Sequence, residues 1–148
     1  MEKILISACL IGIASRYDGK SKLPEDGDVI WQVCQKYAPV PFCPEVYGGL
    51  PTPRTPSERV GDRVLMKDGR DVTENYERGA EGALMLCKRL GIKKALLKER
   101  SPSCGKGKIY DGSFRGVLTE GDGVCAELLI SSGIEVFGES EAPRLLEE

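Results

Sequence analysis

Four short apolar runs alternate with stretches of helical periodicity along this chain, and that alternation leaves few ways to fold. Residues 3–7 (KILIS), 40–42 (VPF), 95–98 (ALLK) and 134–137 (IEVF) read as strands. Between them, residues 28–37 place Ile30, Val33, Cys34 and Tyr37 on one helical face. Residues 73–90 do the same with Tyr76, Ala80, Ala83, Leu84, Cys87 and Leu90, and Gly91 supplies a stop. Residues 122–132 group Val124, Cys125, Leu128 and Leu129. Strands separated by helices pair in parallel through right-handed crossovers, so we expect one α/β domain over residues 1–148, a Rossmann-like parallel sheet with helices on both faces.

A long insert follows the second strand. It is rich in Gly, Pro and Arg (EVYGGLPTPRTPSE) and continues as VLMKDGRDV, where Asp68-Gly69 predicts a hairpin turn; Asp111-Gly112 in IYDGSF is a second candidate. The last residues, SEAPRLLEE, read as a tail that frays or lies over the surface and offers a possible homodimer contact. No apolar stretch reaches the length of a membrane span, and the N-terminus lacks the pattern of a signal peptide, so a cytoplasmic location is expected. With a net charge of −2 and no basic block, long nucleic acid is not an expected partner.

The chain has no histidine, which removes every His-based triad and His metal site. It has six cysteines, and in a reducing compartment these serve metals or catalysis more often than disulfides. They divide by context. Cys34, Cys87 and Cys125 lie on the apolar faces of the three predicted helices and read as small core hydrophobes. Cys9, Cys43 and Cys104 each fall at or just after the C-terminal end of a predicted strand, where open α/β sheets bind ligands. Cys104 stands in KERSPSCGKG, a polar loop that reads as built for exposure.

Three thiolates without histidine suit a soft metal site. Such a set leaves one position open on zinc, or one iron of a cubane without a protein ligand. No CxxC pair is present, so neither a zinc ribbon nor the CxxCxxC ferredoxin run is expected. Glu45, two residues after Cys43, suits a general base, although a lone loop glutamate is commonly just solvated. Gly48 and Gly49 permit close backbone approach to a ligand. Ser101 and Ser103 offer hydroxyls, and Gly105 and Gly107 offer open N–H groups; Ser101 equally suits a turn before Pro102.

Four stretches carry a resemblance: SACLIG (7–12) with RYDG (16–19), CPEVYGGLPTPR (43–54), ERSPSCGKGKIYDGSF (99–114) and GDGVCAELL (121–129). Together they resemble the small thiouracil desulfidases over nearly the whole chain. Small departures, IGIAS before Arg16 and Cys125 after GDGV, lie outside the implied ligands. The resemblance implies a 4Fe-4S cluster held by Cys9, Cys43 and Cys104, with Glu45 and Ser101 as the catalytic side chains. It implies a non-redox hydrolysis of thiouracil to uracil and hydrosulfide, in which the iron lacking a protein ligand takes the substrate sulfur. Glu45 would accept a proton from water, and Ser101 would donate to the ring. Tyr17, Gly48, Gly49, Arg54 and Ser103 are candidate pocket residues, with Arg54 pairing a phosphate if the substrate is a thiolated nucleotide rather than the free nucleobase. Arg16 and Asp18 read equally well as a salt bridge. Three other readings share these residues: a non-catalytic iron–sulfur sensor or carrier, a Cys₃ zinc hydrolase with Glu45 as base, and a thiol redox enzyme with Cys104 as nucleophile.

Overall fold

Strand β1 (Lys3–Ser7) runs straight into the interior, with Ile4, Leu5 and Ile6 all buried. A strand apolar on both faces belongs in the middle of a covered parallel sheet. In the computed structural model, which describes residues 1–147, β1 pairs in parallel with β2 (Ala38–Phe42) on one side and β5 (Lys94–Leu97) on the other. Strand β8 (Glu135–Gly138) adds to β5, again in parallel, giving the order β2-β1-β5-β8. The expected α/β architecture is the one found.

Helices α1 (Val29–Lys36), α2 (Pro44–Tyr47), α3 (Thr73–Leu90), α4 (Val124–Ser131) and α5 (Ala142–Leu146) complete the described core. Side chains alternate across the sheet with period two. Leu5, Ala95, Leu97 and Val136 pack beneath Ala80, Ala83 and Cys87 of α3 and Cys125, Ala126 and Leu129 of α4. Ile4, Ile6, Leu96 and Phe137 face Ile30 and Val33 of α1 and Ala142 and Leu145 of α5. Helix α1 starts where Asp28 Oδ1 accepts the Ile30 amide at 2.8 Å, and α3 stops at Gly91, whose φ of 69° is the left-handed conformation of a C-terminal cap.

The turn expectations in the insert are met in part. The insert does form a hairpin, β3 (Ser57–Val60) with β4 (Arg63–Met66), but its tight turn is Gly61-Asp62. Asp68-Gly69 forms a second tight turn, as expected, held by Asp68 Oδ1 accepting the Arg70 amide, and it returns the chain antiparallel so that Asp71 bridges to Leu65. Asp111-Gly112 opens the longer loop 111–117 between β6 (Lys108–Tyr110) and β7 (Leu118–Glu120), with Asp111 Oδ1 accepting the Ser113 amide and hydroxyl.

The tail does not fray through its described part. It forms α5 and inserts Ala142 and Leu145 fully into the core; Glu148 lies outside the described residues. Polar contacts also tie it to the Cys104 loop: Glu139 Oε1 accepts from Lys98 Nζ at 2.6 Å and from the Glu99 amide at 3.1 Å, and Glu141 Oε1 accepts from Lys106 Nζ at 2.9 Å. Two leucines separated from the sheet by a turn were too short a pattern to announce a helix. Leu145→Ala is therefore expected to lower stability by about 2–4 kcal/mol, measured by urea unfolding. A change within about 0.5 kcal/mol, typical of surface sites, would contradict this packing.

Candidate active site

Because the sheet is parallel, β1, β2 and β5 end side by side on one edge, and each is followed by a cysteine. Cys9 lies in the 3-10 turn Ala8–Ile11 after β1, Cys43 directly precedes α2, and Cys104 follows β5 by a short loop. All three line one cavity of about 490 Å³, together with Glu45, Ser101, Ser103, Arg54 and Tyr17. Tyr17 stands at the mouth with 42% of its surface exposed. Arg16 reaches the same mouth while pairing with Asp18 at 3.5 Å. Cys87 and Cys125 are buried between α3, α4 and the sheet, and Cys34 is half-buried on the opposite side, packed with α1 and α5. All six cysteines are free.

Cys104 is buried, contrary to the exposed loop expected. The polar residues around it turn inward to bond one another, and α4 covers them. The amides of Cys125 and Ala126 donate to Ser103 O at 2.8 and 3.1 Å, and the Val124 amide to Pro102 O at 2.8 Å. This seating needs a glycine at 123, since a Cβ there would lie 2.5 Å from the Ser103 carbonyl. Burial pushes the Cys104 thiol up to about 12, opposed by hydrogen bonds from Ser7 and Ser103; burial and then the charge of Cys43 push Cys9 up to about 11. Reactive cysteines are the opposite, with lowered values, so Cys104 does not have the setting of a redox nucleophile. Thiols held this way ionise when a cation binds them. Among the described residues, no three His, Cys, Asp or Glu side chains stand close enough to grip a single metal ion.

Glu45 accepts four hydrogen bonds within the cavity. Its Oε1 accepts from Arg54 Nε at 3.2 Å, Arg54 Nη2 at 3.1 Å and the Tyr76 hydroxyl at 2.8 Å. Its Oε2 accepts from Ser103 Oγ at 2.9 Å. The side chains of Glu45 and Arg54 are only 13% and 3% exposed, so this is a buried pair in which each remaining polar atom needs a partner. Arg54 finds them in Pro51 O, Thr52 Oγ1 and Ser15 O. Its guanidinium is thus committed on every nitrogen to the protein, which overturns its expected service to a substrate phosphate. Helical periodicity places Tyr76 on the apolar face of α3 and does not mark it as a partner of Glu45. Its phenol is held well above the ordinary range by burial and by Glu45, so it stays a neutral donor. The signal for it was available in principle, because a buried tyrosine hydroxyl needs a partner.

Gly48 and Gly49 do not line the cavity. They let α2 sit on α3: a Cβ at Gly48 would lie 2.0 Å from Asn75 O, while Gly49 adopts φ 97° beside Asn75 and Arg78. Across the same contact, a Cβ at Gly79 would lie 2.0 Å from Pro44 O. This backbone contact is what brings Glu45 within reach of Tyr76. Gly79→Ala should therefore lose about 1–3 kcal/mol in urea unfolding through overpacking. A gain of up to about 1 kcal/mol, as for an unconstrained helical glycine, would contradict the close contact.

Comparison with known proteins agrees with this geometry. A protein of Bacillus subtilis (strain 168), named as uncharacterized protein YbbK, is 39% identical, the match covering 97% of this chain and 99% of that one. The solved structure of TudS, named a [4Fe-4S]-dependent thiouracil desulfidase, superposes with a TM-score of 0.93 at 50% identity, over 99% of this chain and 97% of its own. The model of the family described as 2-thiouracil desulfurase matches residues 4–141. The chain belongs to the 2-thiouracil desulfurase family.

Proposed function

We propose that this protein hydrolyses thiolated pyrimidines, converting thiouracil and water to uracil and hydrosulfide, with a 4Fe-4S cluster held by Cys9, Cys43 and Cys104. The observation that carries the reading is the meeting of three strand-end thiols with a buried, multiply bonded carboxylate in one cavity, in a chain 50% identical to a protein named for that cofactor and that reaction. The donor set fits the cluster: it is all sulfur, three cysteines on one cavity wall with no histidine in the chain. When bound, the cluster supplies a Lewis-acidic iron soft enough for a thiocarbonyl sulfur.

The chain's own residues handle the water. Three donors hold Glu45 Oε1, which leaves Oε2, with a single donor, to receive a proton from water attacking the carbon that bears sulfur. A C–O bond forms and the C–S bond breaks; the water protons leave with sulfur or reset the base, and no electrons are exchanged. Arg54 and Tyr76 fix the carboxylate in place. Tyr17 at the mouth offers an aromatic face to a planar ring. Ser101, which the resemblance implies as the second functional side chain, lines the same cavity. The substrate is a small thiolated nucleobase or nucleotide, met in the cytoplasm.

A sensor or carrier would use the same thiols but has no use for a buried Glu45–Arg54 pair beside them. Burying such a pair carries a desolvation cost that its hydrogen bonds must offset. Holoprotein purified without oxygen should release hydrosulfide from 2-thiouracil or 4-thiouracil. Glu45→Gln should keep its iron and lose about 10²–10⁴-fold in kcat. Full turnover in that variant would overturn the base assignment, and no hydrosulfide from any thiolated pyrimidine would overturn the function.

A further inference from the structure

We infer that Ser103 is a positioning residue for the base, and that Ser101 acts on the reaction through Ser103 instead of giving its proton to the substrate. The inference deepens the proposed function and rests on Glu45 being the base.

The argument is a count of hydrogen-bonding positions. A serine hydroxyl has one proton and two lone pairs. Ser101 Oγ accepts the amide of Ser103 at 3.1 Å and the amide of Cys104 at 3.0 Å, which fills both lone pairs. Its only remaining group is its proton. The neighbour in reach is Ser103 Oγ, 3.0 Å away. Ser103 therefore accepts from Ser101, and its own proton is free to be given. It has two acceptors, Glu45 Oε2 at 2.9 Å and Cys104 Sγ at 3.5 Å, and the carboxylate is both nearer and the stronger acceptor. The result is a one-way chain: two backbone amides to Ser101, Ser101 to Ser103, Ser103 to Glu45 Oε2.

The direction has consequences. Ser103 is buried, so water does not replace the missing donor when the chain is cut. Arg54 and Tyr76 hold Oε1, and Ser103 is the donor that holds Oε2, so it completes the aim of that oxygen into the cavity. Ser101 has no proton left over for a ring nitrogen while the chain is intact. Removing either serine therefore removes the same thing, a correctly aimed Oε2. Small misplacements of a reacting group cost on the order of 10²-fold in rate.

The test is a double-mutant cycle on holoprotein with 2-thiouracil, with iron, acid-labile sulfide and KM measured on every variant. Ser101→Ala and Ser103→Ala should each lower kcat by about 10- to 100-fold, with KM within about twofold and iron unchanged. The double variant should be no worse than the weaker single one, because both cut one chain. Ser101→Thr, which keeps the hydroxyl, should recover most of kcat. The inference is overturned if Ser103→Ala turns over normally while Ser101→Ala does not, since Ser101 would then act directly. It is overturned equally if the two losses multiply, or if Ser103→Ala loses its iron, which would make Ser103 a support for Cys104 only. Failure of the underlying reading looks different: Glu45→Gln would retain full turnover whatever the serines do.

Discussion

The parallel alignment of β1 between β2 and β5 is the constraint on which the rest depends. Parallel neighbours cannot be joined by tight turns, so each return passes over a face of the sheet and every strand ends on the same edge. Here the three adjacent strand ends deliver Cys9, Cys43 and Cys104. The alternation of buried side chains along β1 fixes this alignment, because Leu5 must meet α3 and α4 while Ile4 and Ile6 meet α1 and α5. A one-residue slip would reverse every one of those contacts. Core packing and the chemistry at the sheet edge are therefore one problem with one solution.

Two unfavourable burials are set side by side at that edge, and each has a partner. The thiols of Cys9 and Cys104 are driven toward their neutral forms by desolvation, which leaves a cation as the means of ionising them. The Glu45 carboxylate is buried with Arg54, and Tyr76 and Ser103 complete its bonding. Among the described residues, no buried side-chain nitrogen or oxygen lacks a hydrogen-bond partner. Such networks hold one geometry or cost a great deal. Helix α2 carries the carboxylate into this network by resting its backbone directly on α3 at Gly48 and Gly79.

Much of this was legible in the sequence where the pattern was long or repeated. The strands showed because buried parallel strands are continuous apolar runs, and the long helix showed through its periodicity and its Gly91 stop. The cysteines sorted themselves because three followed a helical apolar face and three followed strand ends. Periodicity could not distinguish a tyrosine that fills the core from one aimed at a carboxylate, so Tyr76 was read as packing. Local polarity misled at Cys104, where Ser101 and Ser103 bond inward and α4 closes over them. Arg54 read as a ligand for phosphate because the acceptors that occupy it, Ser15 O among them, come from segments distant in sequence. Gly48 and Gly49 read as substrate contacts for a similar reason: the backbone they approach belongs to α3.

The central claim is that three thiols at the sheet edge hold a four-iron cluster beside Glu45. The most direct measurement is quantitative iron, zinc and acid-labile sulfide on protein purified without oxygen. The account predicts about four irons and about four sulfides per chain, with no stoichiometric zinc. Stoichiometric zinc without sulfide, or no metal after anaerobic preparation, would contradict it.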